Sequence, residues 1–276
     1  IVRPIIQARP ATTLRPPPMP ALPIERLLLP RAALDEKALR VVGRELLERL
    51  RRERVVRLRA DRPLAATLAR CYAALPTFFA RPRHAKARLH CSIAPSPSNE
   101  EEEVTAASPA DKAYAGMGED CGREWLQLRR RYGLQTERSC CLPDGTPPDC
   151  AAAFDGLREL AAACVHALAL AVGASPAAWL RLSDLDEQVG SQPPTAAGCR
   201  RGGPSVLRLY RYLEAGVGTG CHAHSDLGVL TLSPCPTVPG LLVYDPEALE
   251  WLEAEVGMHE SEISLFGGEQ LAFLSG

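Results

Sequence analysis

The sequence predicts an α+β protein in which helices come first and a run of short strands follows. Apolar residues of the amino-terminal part recur at the helical spacing of three and four positions, whereas from about residue 205 they alternate at every second position. Glycine and proline separate the alternating stretches, as turns do in β-sandwiches and jelly-roll barrels. A hydrophobic content of 46% over 276 residues is sufficient for a large core.

The first predicted elements are two helices joined by a strand. Leu39 and Leu46 belong to an apolar face at helical spacing, and the β-branched residues within 55–58 are typical of a short strand after it. Asp61, followed by a proline, indicates the start of the second helix. Pro76 predicts that this helix kinks or ends before the phenylalanine pair that follows.

A third amphipathic helix contains Phe154, Leu157 and Leu168 on one face, and Gly173 predicts its end. The remaining chain alternates with period two and supplies the strands. The strand candidates are residues 206–212, 221–226, 227–232, 241–244, 263–266 and 270–274.

These elements divide the chain into three predicted regions. Residues 1–33 form a Pro/Arg-rich tail, residues 34–204 a mainly helical region with loops, and residues 205–276 a partial jelly-roll core. Within the helical region, residues 91–111 are predicted to be an exposed loop, because they combine Ser-Pro-Ser-Asn with a run of four glutamates.

Composition excludes several classes of partner. The formal net charge is −1, and although residues 1–90 are strongly basic, the chain has too few aromatics, five Phe, three Trp and six Tyr, for the stacking platforms of a nucleic-acid binder. No apolar run approaches the roughly 20 residues of a membrane span. We therefore expect neither nucleic acid nor a membrane as a partner.

The ten cysteines form no CxxC pair and no zinc-ribbon spacing. The simplest interpretation is a set of mostly free thiols in a reducing compartment, which favours a cytoplasmic protein. The Arg- and Pro-rich opening leaves an organelle as the alternative, if it is the remnant of a transit peptide.

The stretch Cys-His-Ala-His-Ser-Asp at residues 221–226 is the most informative motif. On a strand, residues two apart point to one face, so His222, His224 and Asp226 are predicted to align. Imidazole and carboxylate together suit Fe(II) in a site of two histidines and one carboxylate. These three side chains are therefore candidate ligands of a metal ion.

The surroundings of this motif resemble a known family. Residues 224–232 (HSDLGVLTL) and 238–244 (VPGLLVY), followed by Trp251, are similar to the H-[TS]-D-x-G-x-x-T-x-L … G-L-x-V … W signature of the plant-type, isopenicillin N synthase-like members of the Fe(II)/2-oxoglutarate-dependent dioxygenase superfamily. Residues 75–82 (LPTFFARP) with Lys86 resemble that family's FF-x-x-P…K segment.

The resemblance implies a double-stranded β-helix core, Fe(II), 2-oxoglutarate as co-substrate, ascorbate as a further candidate cofactor, and oxidation of a small-molecule organic substrate by hydroxylation or desaturation. It also implies that His224 and Asp226 are the metal ligands and that His222 lines the pocket or supports them. With this resemblance we expect a monomer. Residues 208–212 (RLYRY) resemble the family strand that ends in N-x-Y, so Tyr212 is expected to contact the 2-oxoglutarate carboxylate, with Tyr210 in place of the Asn. Two alternatives remain open: an iron oxygenase of this fold that does not use 2-oxoglutarate, and a degenerate binding module without catalysis.

The resemblance also implies parts that this sequence does not contain. The family's distal His, its R-x-S motif and the last strands of the barrel are expected beyond Gly276, because only 50 residues follow Asp226 and no Arg follows Arg211. His259 is the one histidine of that interval, and we expect it not to be the third ligand.

Overall fold

The computed structural model describes residues 22–23, 35–87, 91–92, 114–120, 122–131, 140–141, 146–182, 202–213, 221 and 223–275. Helices and strands alternate in blocks along these residues. The helices are α1 (Glu36–Glu53), α2 (Arg62–Phe79), α3 (Arg83–Ala87), α4 (Pro148–Val172), α5 (Pro176–Leu182) and α6 (Glu269–Ser275). The strands are β1 (Leu22–Pro23), β2 (Val55–Arg59), β3 (Cys91–Ser92), β4 (Tyr114–Asp120), β5 (Arg123–Arg131), β6 (Cys140–Cys141), β7 (Gly202–Tyr212), β8 (Leu230–Pro234), β9 (Leu242–Asp245), β10 (Glu250–Glu253) and β11 (Glu262–Gly267).

Side-chain caps fix the starts of the first two helices. The Asp35 carboxylate accepts from the Lys37 amide at the start of α1, and the Asp61 carboxylate accepts from the Leu64 amide at the start of α2. Helix α2 continues through Pro76 to Phe79, so the expectation that it ends there is wrong, whereas the alternative of a kink at Pro76 stays a prediction. The two phenylalanines of this last turn are buried, and their packing outweighs the backbone hydrogen bond that a proline cannot donate.

Helix α4 is the centre of the core and contacts α1, α2 and α5. Small residues allow α1 to approach it closely: a Cβ atom at Gly43 would lie 1.9 Å from the backbone oxygen of Ala167. The predicted end at Gly173 is confirmed, since this residue takes the left-handed conformation with φ of 76°.

A four-stranded sheet in the order β1-β2-β11-β8 joins the two ends of the sequence. β11 runs antiparallel to both neighbours, and all six of its residues are buried. Strand β2 comes from the predicted helical region and β8 from the predicted barrel, so one sheet crosses the predicted boundary at residues 204–205. The division into these regions stays a prediction.

A second sheet contains β3, β4, β5 and β6, with β7 paired to β5. The β5–β7 pairing gives this sheet two different faces, because side chains alternate along a strand. Leu126, Leu128 and Leu209 point into the helical core, whereas Trp125 pairs with Tyr210 on the opposite face. The sequence analysis did not predict β4 and β5.

A buried ionic cluster connects the helices to this sheet. Lys86 Nζ of α3 lies 2.5 Å from Glu124 Oε2 of β5 and 2.8 Å from the Phe79 backbone oxygen. Arg211 Nε of β7 lies 2.7 Å from Glu124 Oε1. Lys86, the lysine of the segment that resembles the family's FF-x-x-P…K, therefore forms an ion pair with the second sheet.

Three strand predictions need correction. Residues 270–274 belong to helix α6, residues 221–226 form no regular strand where they are described, and the strand expected at 227–232 begins only at Leu230. The strands expected at 55–58, 206–212, 241–244 and 263–266 are confirmed as β2, β7, β9 and β11.

The α+β class is confirmed, with antiparallel sheets and a helical layer. Most of the predicted tail and of the loop at residues 91–111 lies outside the described residues; within them, Leu22 and Pro23 form β1, and Cys91 and Ser92 form β3. Among the helices of the described segments, none combines the length and the hydrophobicity that a membrane span needs.

Candidate metal and carboxylate site

His224 and Asp226 lie side by side on the segment that leads into β8. His224 Nε2 is 3.3 Å from Asp226 Oδ1, and both side chains are partly exposed, by 43% and 26%. Two ligand atoms about 2.1 Å from one ion and at right angles to each other are about 3.0 Å apart. The observed separation therefore fits two ligands of one metal ion, and the donor pair of imidazole and carboxylate fits Fe(II).

Neighbouring side chains orient both candidate ligands. The Thr231 hydroxyl donates to Asp226 Oδ2, so that Oδ1 is the oxygen facing His224. Cys221 Sγ lies 3.5 Å from His224 Nδ1. In the tautomer in which Nδ1 donates to this sulfur, Nε2 carries the lone pair that a metal needs.

The backbone of the site is held by the turn between β11 and α6. The amides of Gly268, Glu269 and Gln270 donate to the carbonyls of Val229, Asp226 and Gly228, at 3.0, 2.8 and 3.2 Å. A Cβ atom at Gly268 would lie 2.1 Å from the Gly228 oxygen, so this contact requires glycine. Asp226 is thus held by hydrogen bonds to both its side chain and its backbone carbonyl.

A third ligand is not found among the described residues, in which no group of three His, Cys, Asp or Glu side chains is placed to hold a metal ion. His259 lies before β11, at the end of the β8–β11 pair away from Asp226, and its Nδ1 is 2.8 Å from Ser261 Oγ. A six-residue strand separates these ends by roughly 17–20 Å. His222, expected to line the pocket, lies outside the described residues.

Tyr212 and Tyr210 stand on the sheet face that points away from the helical core. They are 56% and 38% exposed, and their rings stack with centroids 6.2 Å apart. Partial burial of the Tyr212 hydroxyl raises its pKa above the ordinary value of tyrosine, although the charge and the hydrogen bond of Arg123 act against this. The hydroxyl therefore keeps its proton at neutral pH.

Comparison of folds finds solved structures with a similar arrangement of elements. A C-terminally truncated protein of Neurospora crassa matches with a TM-score of 0.62 and 17% identity, over 93% of this chain and 84% of that one. Its full-length form has been solved with alpha-ketoglutarate and thymine. JOX2, solved with 2-oxoglutarate, iron and JA, matches with a TM-score of 0.59 and 16% identity, over 98% and 70%. The chain has the fold of the Fe(II)/2-oxoglutarate-dependent oxygenases.

This oxygenase fold is shared also with the rice dioxygenase for auxin oxidation, at a TM-score of 0.54 and 18% identity over 92% of this chain and 72% of that one. Neither a protein-family model nor a curated protein matches the sequence. The similarity therefore lies in the arrangement of elements, with less than one residue in five identical.

Three residues of the site were not assigned by sequence reasoning. Thr231 is the threonine of the H-[TS]-D-x-G-x-x-T part of the signature, five residues after Asp226, and this spacing could have indicated its contact with Asp226. Cys221 was treated only as one of the free thiols, and nothing in the sequence pointed to its place beside His224. Arg123 belongs to a strand that the hydrophobic pattern did not indicate, because charged residues interrupt the apolar alternation there.

Proposed function

We propose that the protein is a non-haem Fe(II)- and 2-oxoglutarate-dependent oxygenase that oxidises a small organic substrate by hydroxylation or desaturation. The observation that carries this proposal is the 3.3 Å separation of His224 Nε2 and Asp226 Oδ1. These two atoms are the right chemical pair at the right separation for iron, in a fold whose solved examples include structures with 2-oxoglutarate and iron.

Each described residue has a defined part in this proposal. His224 and Asp226 hold the iron, which supplies the activation of O₂ when it is bound, with 2-oxoglutarate as the electron source. Thr231 limits Asp226 to one ligating oxygen, and Cys221 sets the orientation of the His224 ring. The Tyr212 hydroxyl donates a hydrogen bond to a carboxylate of 2-oxoglutarate.

For the substrate of this protein we use only the general size class of the ligands bound by the fold neighbours. Their solved complexes contain thymine, 5-formyluracil or JA, which are all small organic molecules. We extend this size class to the present protein, propose that it acts as a cytoplasmic monomer, and keep ascorbate as a reductant that maintains the iron. An iron oxygenase without 2-oxoglutarate is not favoured, since these neighbours were solved with that co-substrate.

The proposal is tested by iron binding and turnover of the full-length protein. His224→Ala and Asp226→Ala are expected to abolish bound Fe(II) and the release of succinate from 2-oxoglutarate, because each removes a ligand. His259→Ala is the matched control, since this histidine lies at the far end of the β8–β11 pair and is expected to leave iron binding unchanged.

Two results would contradict the proposal. Unchanged iron stoichiometry in either ligand variant would remove His224 and Asp226 from the site. A parent protein that binds no iron would be a degenerate binding module.

A further inference from the structure

Two buried cysteines of the helical core lie against each other. Cys71 of α2 and Cys150 of α4 are 2% and 0% exposed, and their sulfur atoms are 3.4 Å apart. A disulfide bond holds its two sulfurs about 2.05 Å apart, so these atoms would have to approach by roughly 1.4 Å. Small rotations of the two side chains, with a slight shift of the helices, can supply this approach.

The residues next to the cysteines hold the two helices at the same level. Arg70 and Asp149, which directly precede the two cysteines, form an ion pair with Nε 2.9 Å from Oδ1. Both pairs join residues 79 positions apart in the chain. Two successive matched pairs indicate that the packing of α2 against α4 brings the sulfurs together, and not the rotamer of a single side chain.

The route from solvent to the sulfur pair is short. The Arg70 and Asp149 side chains are 57% and 35% exposed, and an ion pair of this kind contributes little to stability. Cys150 is the third residue of α4, and no side chain caps this end of the helix. Because helix ends open at a low cost in free energy, a small oxidant can reach the sulfurs without unfolding of the core.

The contact between the two thiols favours ionisation of one of them. A hydrogen bond from Cys150 lowers the pKa of the Cys71 thiol, although burial acts in the opposite direction. Cys164 gives the contrast on the same helix, because burial raises the pKa of its thiol to about 12. Since the thiolate is the reactive form of cysteine, Cys71 is the thiol that reacts first.

We propose that Cys71 and Cys150 are a redox-active pair that hydrogen peroxide converts into a reversible disulfide between α2 and α4. The Cys71 thiolate attacks one peroxide oxygen and the O–O bond breaks, which gives a sulfenic acid at Cys71 and, after protonation of the other oxygen, one water. The Cys150 thiolate then attacks the Cys71 sulfur, and hydroxide leaves and is protonated to a second water. The two thiols lose two electrons and their protons, and one peroxide becomes two waters.

The proposal is tested by peptide mapping of the full-length protein after treatment with hydrogen peroxide and alkylation of the remaining thiols in urea. The expected product is a cross-linked peptide that joins Cys71 to Cys150 and that dithiothreitol separates again. The urea-unfolded protein, treated in the same way, is the reference. Without the fold, cysteines that are closer in the sequence pair more readily than two that are 79 residues apart, so this cross-link is expected to be rare there.

Cys164→Ala is the matched control, since Cys164 is fully buried in the same helix, about 21 Å along it from Cys150. This variant is expected to keep the cross-link, whereas Cys71→Ala and Cys150→Ala lose it. The disulfide closes a long loop in the unfolded chain, so oxidation is expected to raise the urea midpoint of the parent protein by on the order of 1 M. Oxidation of Cys71→Ala is expected to give no such increase.

Three results would overturn the proposal. They are recovery of Cys71 and Cys150 as alkylated thiols from the oxidised native protein, a cross-link that is equally abundant in the unfolded protein, and a urea midpoint of the parent that does not rise on oxidation. The mapping of the parent protein decides the question even if a variant fails to fold. Because none of these measurements involves iron or 2-oxoglutarate, the inference does not depend on the proposed function.

Discussion

The Thr231 hydroxyl donates to Asp226 Oδ2 and so determines which carboxylate oxygen faces His224. Because a hydroxyl donor also stabilises the ionised carboxylate, Thr231 acts on metal affinity without touching the metal. Groups that orient a metal ligand in this way commonly contribute ten- to hundredfold to metal affinity.

Thr231→Val keeps the shape of the side chain and removes this donor. We expect Fe(II) affinity to fall roughly ten- to hundredfold while the fold is retained. A titration with Fe(II) under anaerobic conditions measures the change. The matched control is Thr67→Val, since the Thr67 hydroxyl donates to a backbone carbonyl of α2 at the surface and should leave iron affinity unchanged. Equal affinity in the Thr231 variant would show that the hydrogen bond does not support the ligand.

The candidate ligands His224 and Asp226 could be proposed from the sequence, but the strand on which that argument relied is not present in the structure. The argument placed His224 and Asp226 on one face of a strand, yet their segment is irregular. They nevertheless meet, because the motif includes Thr231 and because tertiary contacts of the following loop hold Asp226 in place. A sequence pattern records which residues belong together more directly than it records the local conformation that brings them together.

The turn from β11 into α6 determines the conformation of the loop that carries Asp226. Three successive amides, those of Gly268, Glu269 and Gln270, bond to the carbonyls of this loop. Because the loop and the turn come from positions about 40 residues apart, neither could adopt this conformation on local propensity alone.

Gly268→Ala is therefore expected to displace the loop, since the new Cβ would lie 2.1 Å from the Gly228 oxygen and neither backbone can yield cheaply. We predict a loss of stability of about 1–3 kcal/mol, the usual cost of overpacking, together with weaker iron binding. Urea unfolding and an Fe(II) titration measure the two effects. Gly240→Ala is the control, because no atom lies within 4 Å of its Cβ position. Similar values for the two variants would contradict the close contact.

The misassigned element of the sequence analysis is α6 itself. The period-two pattern predicted a strand at residues 270–274, whereas Glu269, Gln270, Leu271 and Ala272 are good helix formers and the structure follows that propensity. Strands β4 and β5 were not predicted, because their own sequence gives only a weak strand pattern. Strand β5 reads REWLQLRRR, with charged residues at both ends and only three apolar residues between them, so its buried face, with Leu126 and Leu128, is recognisable only when the β7 partner is known.

The molecule depends on the ionic cluster of Lys86, Glu124 and Arg211 to join its helices to the second sheet. The side chains of Lys86 and Glu124 are 9% and 7% exposed, so this ion pair is shielded from water, whereas the Arg211 side chain is 40% exposed. Removing one partner of such a cluster leaves buried charge without compensation, which costs far more than the loss of a surface ion pair.

Glu124→Gln is expected to lower the free energy of unfolding by about 3–5 kcal/mol, because two cations then face a neutral amide. Urea unfolding followed by circular dichroism measures this change. The matched control is Glu119→Gln, which breaks the exposed ion pair with Arg83 and should cost less than about 1 kcal/mol. A similar small loss in both variants would mean that water reaches the cluster and compensates its charges.

The central position of β11 between β2 and β8 also constrains the order of events during synthesis on the ribosome. Strand β2 is made long before its antiparallel partner β11. Arg57 of β2, for example, donates a hydrogen bond to the carbonyl of Val256, 199 residues later in the chain. During that interval one edge of strand β2 has no partner strand. An unpaired strand edge favours pairing with other nascent chains. Because contacts over such long separations also form slowly, the yield of folded protein is expected to depend on how well the cell shields this one early strand.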